Sequence, residues 1–156
     1  MIRKETEADL KNEQECKELL EKVWGYKVRK LGGNNEFKYL MDFILTDEND
    51  KAVRFVEFKA RRSIKHDTFK DGVLLGLQKF NKGAEYYHRN HLDFFFVAWF
   101  ENGFYAYRYD PSHDLQINWA SRCQNQEPVV LIKPEYWEEI CQPSDISKIN
   151  SPKKEI

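Results

Sequence analysis

The chain has 156 residues, 33% of them charged and 41% hydrophobic, with a formal net charge of −1. This composition belongs to a folded globular chain of ordinary domain size and excludes intrinsic disorder. No run reaches the roughly 18 apolar residues of a spanning helix, which excludes that class of membrane protein. The opening Met1-Ile2-Arg3-Lys4-Glu5 has no apolar signal region, so the expected location is cytoplasmic. Cys16, Cys123 and Cys141 are odd in number and widely spaced, so neither a disulfide framework nor structural zinc is expected.

Taken in chain order, residues 5–24 read as an amphipathic helix with Leu10, Leu19, Leu20, Val23 and Trp24 on one stripe, ended by Gly25. Residues 26–31 alternate as a half-buried strand, and Gly32-Gly33-Asn34-Asn35 forms a turn. A strand over 37–46 follows, then hairpin chemistry at Asp47-Glu48-Asn49-Asp50-Lys51 and a Val- and Phe-rich strand over 52–60. The polar stretch 61–71 leads into a second helix over 72–89. Residues 92–100, the most apolar run, form a central strand, with Glu101-Asn102-Gly103 turning into a partner over 104–109. Beyond Asp110-Pro111 the pattern weakens to a short strand at 128–132 and a Pro-initiated helix over 134–141. Alternating helices and strands predict an α/β domain over residues 1–142, a central mixed sheet with flanking helices. Residues 143–156 read as a polar, flexible tail.

The chemistry sits in the two consecutive strands before the second helix. Asp42 lies within Leu40-Met41-Asp42-Phe43-Ile44-Leu45, and Glu57 within Val53-Arg54-Phe55-Val56-Glu57-Phe58-Lys59. A carboxylate among apolar residues is costly unless it is paired, hydrogen-bonded or bound to a cation. If the 47–51 loop closes a hairpin, the two acids converge, and their mutual repulsion invites a divalent cation. Hard oxygen ligands select Mg²⁺ or Mn²⁺. Residues i and i+2 of a strand share a face, so Lys59 projects beside Glu57 and Phe58 points away.

An acid on one strand followed by Glu-x-Lys on the next resembles the core pattern of the PD-(D/E)XK nuclease superfamily, which contains restriction enzymes, junction resolvases and recombination nucleases. Here the pattern is Asp42, fourteen intervening residues, then Glu57-Phe58-Lys59. Met41 stands where the family frequently has proline. The order of elements over about residues 10–109 is similar too. The resemblance implies a restriction-endonuclease-like fold and a metal-dependent endonuclease acting on DNA, with RNA as the alternative substrate. Asp42 and Glu57 would hold the metal, with the Phe58 carbonyl as a further ligand. Lys59 would orient the water or stabilise charge on the phosphate. The first helix is similar to that of archaeal Holliday-junction resolvases, which implies Glu13 as an extra ligand, with Glu15 and Glu18 as rivals. A supporting polar residue on the second helix would be Gln78 or Lys79, with Gln78 preferred. Short length favours a resolvase-like or phage-type enzyme, and cutting both strands would suit a homodimer. The alternative is an inactive nucleic-acid-binding or protein-interaction module on the same fold.

From Lys59 to His91, eight Lys and Arg residues face three acids. Arg61, Arg62, Lys65, Lys79 and Lys82 are the expected nucleic-acid contacts within this basic stretch, since such contacts position the backbone without reading bases. His88 and His91 have no evident third metal ligand, and the tyrosines at 86, 87, 105, 107 and 109 suit packing better than base stacking. No glycine-rich phosphate loop is present, so nucleotide-driven motor activity is not expected.

Overall fold

Helix α1 (Glu7–Trp24) begins where Thr6 and Asp9 cap each other reciprocally: the Asp9 N–H donates to Thr6 Oγ1 at 3.1 Å and the Thr6 N–H to Asp9 Oδ2 at 3.0 Å. It ends at Gly25, whose φ of 72° lets its N–H return to the Glu21 carbonyl. The computed structural model describes residues 6–31, 41–122 and 125–141. The expected tail at 143–156, the Gly-Gly turn, Cys123 and the first part of the strand expected over 37–46 lie outside the described residues. Cys16, Leu19 and Leu20 form the buried stripe of α1, whereas Leu10 and Val23 are exposed. Nine helical steps separate Leu10 from Leu19, which at about 100° per residue sets them on opposite faces.

Strands β1 (Lys27–Lys30), β2 (Phe43–Thr46) and β3 (Ala52–Arg61) form an antiparallel meander. Strand β5 (Asp93–Phe100) then lies parallel to β3, with Glu57 opposite Phe96 and Lys59 opposite Ala98. The six-stranded mixed sheet is completed by β6 (Gly103–Arg108) and β9 (Trp137–Cys141), in the order β1-β2-β3-β5-β6-β9. Its two faces carry separate cores. Val56, Phe58, Phe95 and Val97 pack with Cys16 and Leu20 of α1, while Phe94, Phe96, Ala98 and Phe100 pack on the other side. Glu57 belongs by alternation to that second face.

The crossover from β3 to β5 contains more than the expected helix. Residues Val73–Gly76 are strand β4, and helix α2 starts only at Leu77 and runs to Asn90. A short apolar run such as Val73-Leu74-Leu75 suits either state. Here its partner decides: β4 pairs antiparallel with β8 (Asn125–Ile132), joined on its far edge by β7 (Gln116–Arg122). The helix expected over 134–141 is a single 3₁₀ turn, Pro134–Tyr136, followed by β9. The open edge of β6 supplies β9 with hydrogen-bond partners that a sequence pattern cannot show.

Helix α2 lies directly on the sheet because Gly83 has no side chain there. A Cβ at that position would come within 2.2 Å of the Phe94 ring. Alanine normally favours a helix over glycine by about 1 kcal/mol. Gly83→Ala should nonetheless destabilise the fold, by about 1–3 kcal/mol of overpacking. A lower urea midpoint with an unchanged m-value would report this, and a raised midpoint would mean that α2 lifts at no cost.

Candidate active site

The hairpin between β2 and β3 sets the spacing of the site. Asp47 Oδ1 accepts the backbone N–H groups of Asn49 and Lys51 at 2.8 and 3.0 Å, closing the loop. The β2–β3 ladder runs back to Phe43 opposite Val56, and the Asp42 N–H donates once more to the Val56 carbonyl. There the strands fork. The Asp42 side chain replaces the missing strand, its Oδ2 accepting the Phe58 N–H at 2.8 Å. A strand residue's N–H and C=O point the same way, so the Phe58 carbonyl also opens into the fork.

Glu57 is fully buried on the α2 side of β3. Its Oε1 lies 3.1 Å from Lys79 Nζ and 3.6 Å from Lys59 Nζ. Oε2 has no hydrogen-bond partner among the described residues. Burial, followed by the charge of Asp42, pushes the Glu57 carboxyl up to about 8, against the opposing pull of Lys79 and Lys59. Two acids that repel, two ammonium groups and a buried carboxylate oxygen without a hydrogen bond thus lie together at this point of the sheet.

Glu13 is on the inward face of α1, three residues before Cys16, and is ion-paired with Lys30 at 2.8 Å. Glu18 instead accepts from Gln14 on the exposed side. The Cys16 thiol is buried near both Asp42 and Glu13, and burial first, then those two charges, push its pKa well up. Among the described residues no group of three or more His, Cys, Asp and Glu side chains is arranged to hold a metal. The acids close to one another are thus the pair Asp42 and Glu57, with Glu13 drawn toward Lys30.

Helix α2 delivers Lys79 to Glu57, while Gln78, one helical step away, is exposed. The sequence pattern offers both residues at the helix start and contains nothing that orders them, because the register of α2 depends on Gly83 seating against Phe94. Lys30 was not among the expected site residues. Its signal is positional, as the last residue of β1, opposite Phe43 and next to Asp42 in register. Arg61 ends β3 on the same face as Glu57 and Lys59, and the Arg62 guanidinium lies over Trp99 at 4.0 Å. Lys65 is exposed in the following loop. Lys82, one turn beyond Lys79, is paired with Glu85 at 3.3 Å. Tyr86 stacks on Phe55 and Tyr107 is fully buried, in keeping with packing roles, and His88 bonds to the Tyr109 hydroxyl at 3.0 Å.

A mixed sheet flanked by two helices, with a forked acid strand followed by Glu-x-Lys, defines a restriction-endonuclease-like α/β protein. The model of the family described as "Phage putative PDDEXK endonuclease" matches residues 2–136, and the chain belongs to that family. The family is one of nucleases, whose substrates are nucleic acids and which usually employ divalent metal ions. No curated protein and no solved structure gives a significant match. Among the described residues no helix is long and apolar enough to cross a membrane.

The raised Glu57 pKa has a definite consequence for stability. Between the ordinary carboxylate value of 4.5 and about 8, the unfolded chain is ionised while the folded one retains the proton. This group's contribution therefore falls as pH rises through that window and is flat on either side. Glu57→Gln abolishes the titration. In metal-free buffer its Tm should gain on wild type steadily from pH 5 to pH 8, by roughly 2–4 °C per kcal/mol. A constant Tm difference across that range would show that Glu57 titrates normally.

Proposed function

We propose that the protein is a metal-dependent endonuclease that hydrolyses DNA phosphodiester bonds at the fork between β2 and β3. The observation that carries this reading is Glu57, fully buried with Oε2 unpartnered beside Asp42. Evolutionarily cheap replacements for a buried unsatisfied carboxylate are apolar residues, so its presence in an apolar strand calls for a ligand. The donor set suits a hard divalent cation, Mg²⁺ or Mn²⁺. Asp42 and Glu57 would hold it, with the Phe58 carbonyl in the fork, and Glu13 would join by giving up Lys30. When bound, such an ion supplies Lewis-acid stabilisation of phosphoryl oxygen and a more acidic water.

The chain's own groups have separable tasks. Lys79, 3.1 Å from Oε1 of Glu57, would steady that oxygen by charge and leave Oε2 for the ion. Lys59, on the same face and about one-third exposed, would orient the attacking water or meet negative charge developing on the phosphate. Water oxygen bonds to phosphorus and gives up a proton, one P–O bond breaks, and the departing oxygen takes up a proton in turn, so that none is gained or lost overall. Arg61, Arg62 and Lys65 continue from the end of β3 and would hold the flanking phosphates, while Gln78 and Lys82 extend this surface along α2. Two copies of the chain would be needed to cut both strands at once, which makes a homodimer the natural working unit.

Supercoiled plasmid and a synthetic four-way junction, each with Mg²⁺ or Mn²⁺, test the activity. Wild type should cleave, Glu57→Ala should not, and Lys59→Ala should lose roughly 10²–10³-fold in rate while remaining folded by circular dichroism. Equal inertness of wild type and variants with every metal would overturn the reading. Cation binding gives a second check without turnover. Because a proton must leave Glu57, Mn²⁺ affinity measured by calorimetry should rise about tenfold per pH unit from pH 6 to near 8, then level off.

A further inference from the structure

A cavity of about 580 Å³ opens at the end of the same strand that carries Glu57 and Lys59. Arg61 is its link to the site: residues 57, 59 and 61 share one face of β3, and Glu57 to Arg61 spans about 13 Å at the usual rise per strand residue. Ile64, Leu74 and Leu131 give the cavity an apolar wall, and Phe69 and Lys70 lie at its rim. Phe69 is 53% exposed, one of the few large apolar side chains left in water. The loop presenting it is built rather than loose. Its backbone closes successive turns from Ile64 to Arg61, Thr68 to Lys65 and Gly72 to Phe69, and Glu101 N–H ties it to the Ile64 carbonyl at 2.8 Å. Gly72 sits at φ 114° with the Ile132 backbone so close that any Cβ would meet it at 2.4 Å.

We propose that this cavity receives an unpaired base of the nucleic acid whose phosphate is cleaved at Glu57, with the Phe69 ring stacking on it and Arg61 and Lys70 holding its backbone. The inference rests on the nuclease reading and adds a substrate class: DNA with locally unpaired nucleotides, single-stranded or branched, over continuous duplex. Charge selects this occupant. Of the charged side chains lining the cavity, Arg61 and Lys70 stand against Asp71, and the exposed Lys65 follows in the same loop, so the rim complements a polyanion. The volume lies in the range of small-ligand pockets, and an apolar wall with an aromatic rim is the surface on which bases stack irrespective of sequence. A paired base within a continuous duplex has both faces covered by its neighbours and cannot enter.

Binding is measured by fluorescence anisotropy, without divalent metal, on a 20-nucleotide single strand, a duplex with a three-nucleotide bulge and a continuous duplex. Phe69→Ala should weaken binding to the first two about tenfold and to the duplex less than twofold, with the salt dependence unchanged because no charge is lost. Phe69→Trp should restore the preference, and Leu10→Ala, an exposed apolar residue on α1, should change nothing. Lys70→Ala should weaken all three alike. 2-Aminopurine at an unpaired position should lose fluorescence on binding wild type and not Phe69→Ala. Equal loss on all three DNAs, or no loss on any, overturns the pocket. A Phe69-dependent preference in a protein that cleaves nothing would sink the nuclease reading and leave the pocket standing; cleavage indifferent to Phe69 would do the reverse.

Discussion

The carboxylate of Glu57 has no solvent exposure, and its residue pairs with Phe96 on the sheet face that also carries Phe94 and Ala98. Burying a charge without full compensation costs several kcal/mol, and a folded domain has only about 5–15 kcal/mol to spend. The neighbouring structure is arranged around that cost. Lys79 and Lys59 supply charge from two different elements, and the acid shifts toward its neutral form when Asp42 faces it. What remains, a buried Glu57 carboxylate without a hydrogen bond and its repulsion with Asp42, is what a cation would relieve.

The fold explains how two acids are brought together without a shared loop. The tight Asp47 hairpin fixes the β2–β3 register, and the fork after Phe43 and Val56 lets Asp42 bond to the backbone of β3. The parallel partner β5 holds β3 straight over eight paired residues, so Glu57, Lys59 and Arg61 line one continuous face. Parallel pairing obliges the chain to cross over, and the crossover helix returns Lys79 to Glu57. One topological requirement therefore yields both the rigid strand and its second lysine.

The α1, β2, β3, β5 and β6 elements were legible because each carries a strong period or an unbroken apolar run with turn residues at its ends. The approach of Asp42 to Glu57 and Lys59 was legible too, since alternation puts 57 and 59 on one face and the short hairpin brings Asp42, just ahead of β2, alongside β3. Pattern failed where a partner distant in sequence decided the state. Val73–Gly76 became a strand because β8 was there to pair with it, and Trp137–Cys141 became one because β6 had an open edge. Strand β7 has only weak alternation, with Ile117 and Trp119 exposed, and gave little to read. Likewise Lys79 and Gln78 are equivalent on paper, and only the seating of Gly83 on Phe94 turns one of them to Glu57.

The most direct test is the titration of Glu57 itself, followed by carboxyl ¹³C NMR on labelled protein assigned with Glu57→Gln. Without divalent cation a Glu57 held for a metal ion should titrate with a midpoint near 8, and with saturating Mg²⁺ the midpoint should fall by several units as the ion replaces the proton. A midpoint near the ordinary 4.5 that Mg²⁺ does not move would contradict that expectation, because Glu57 would then be neither strained by burial nor held for a cation.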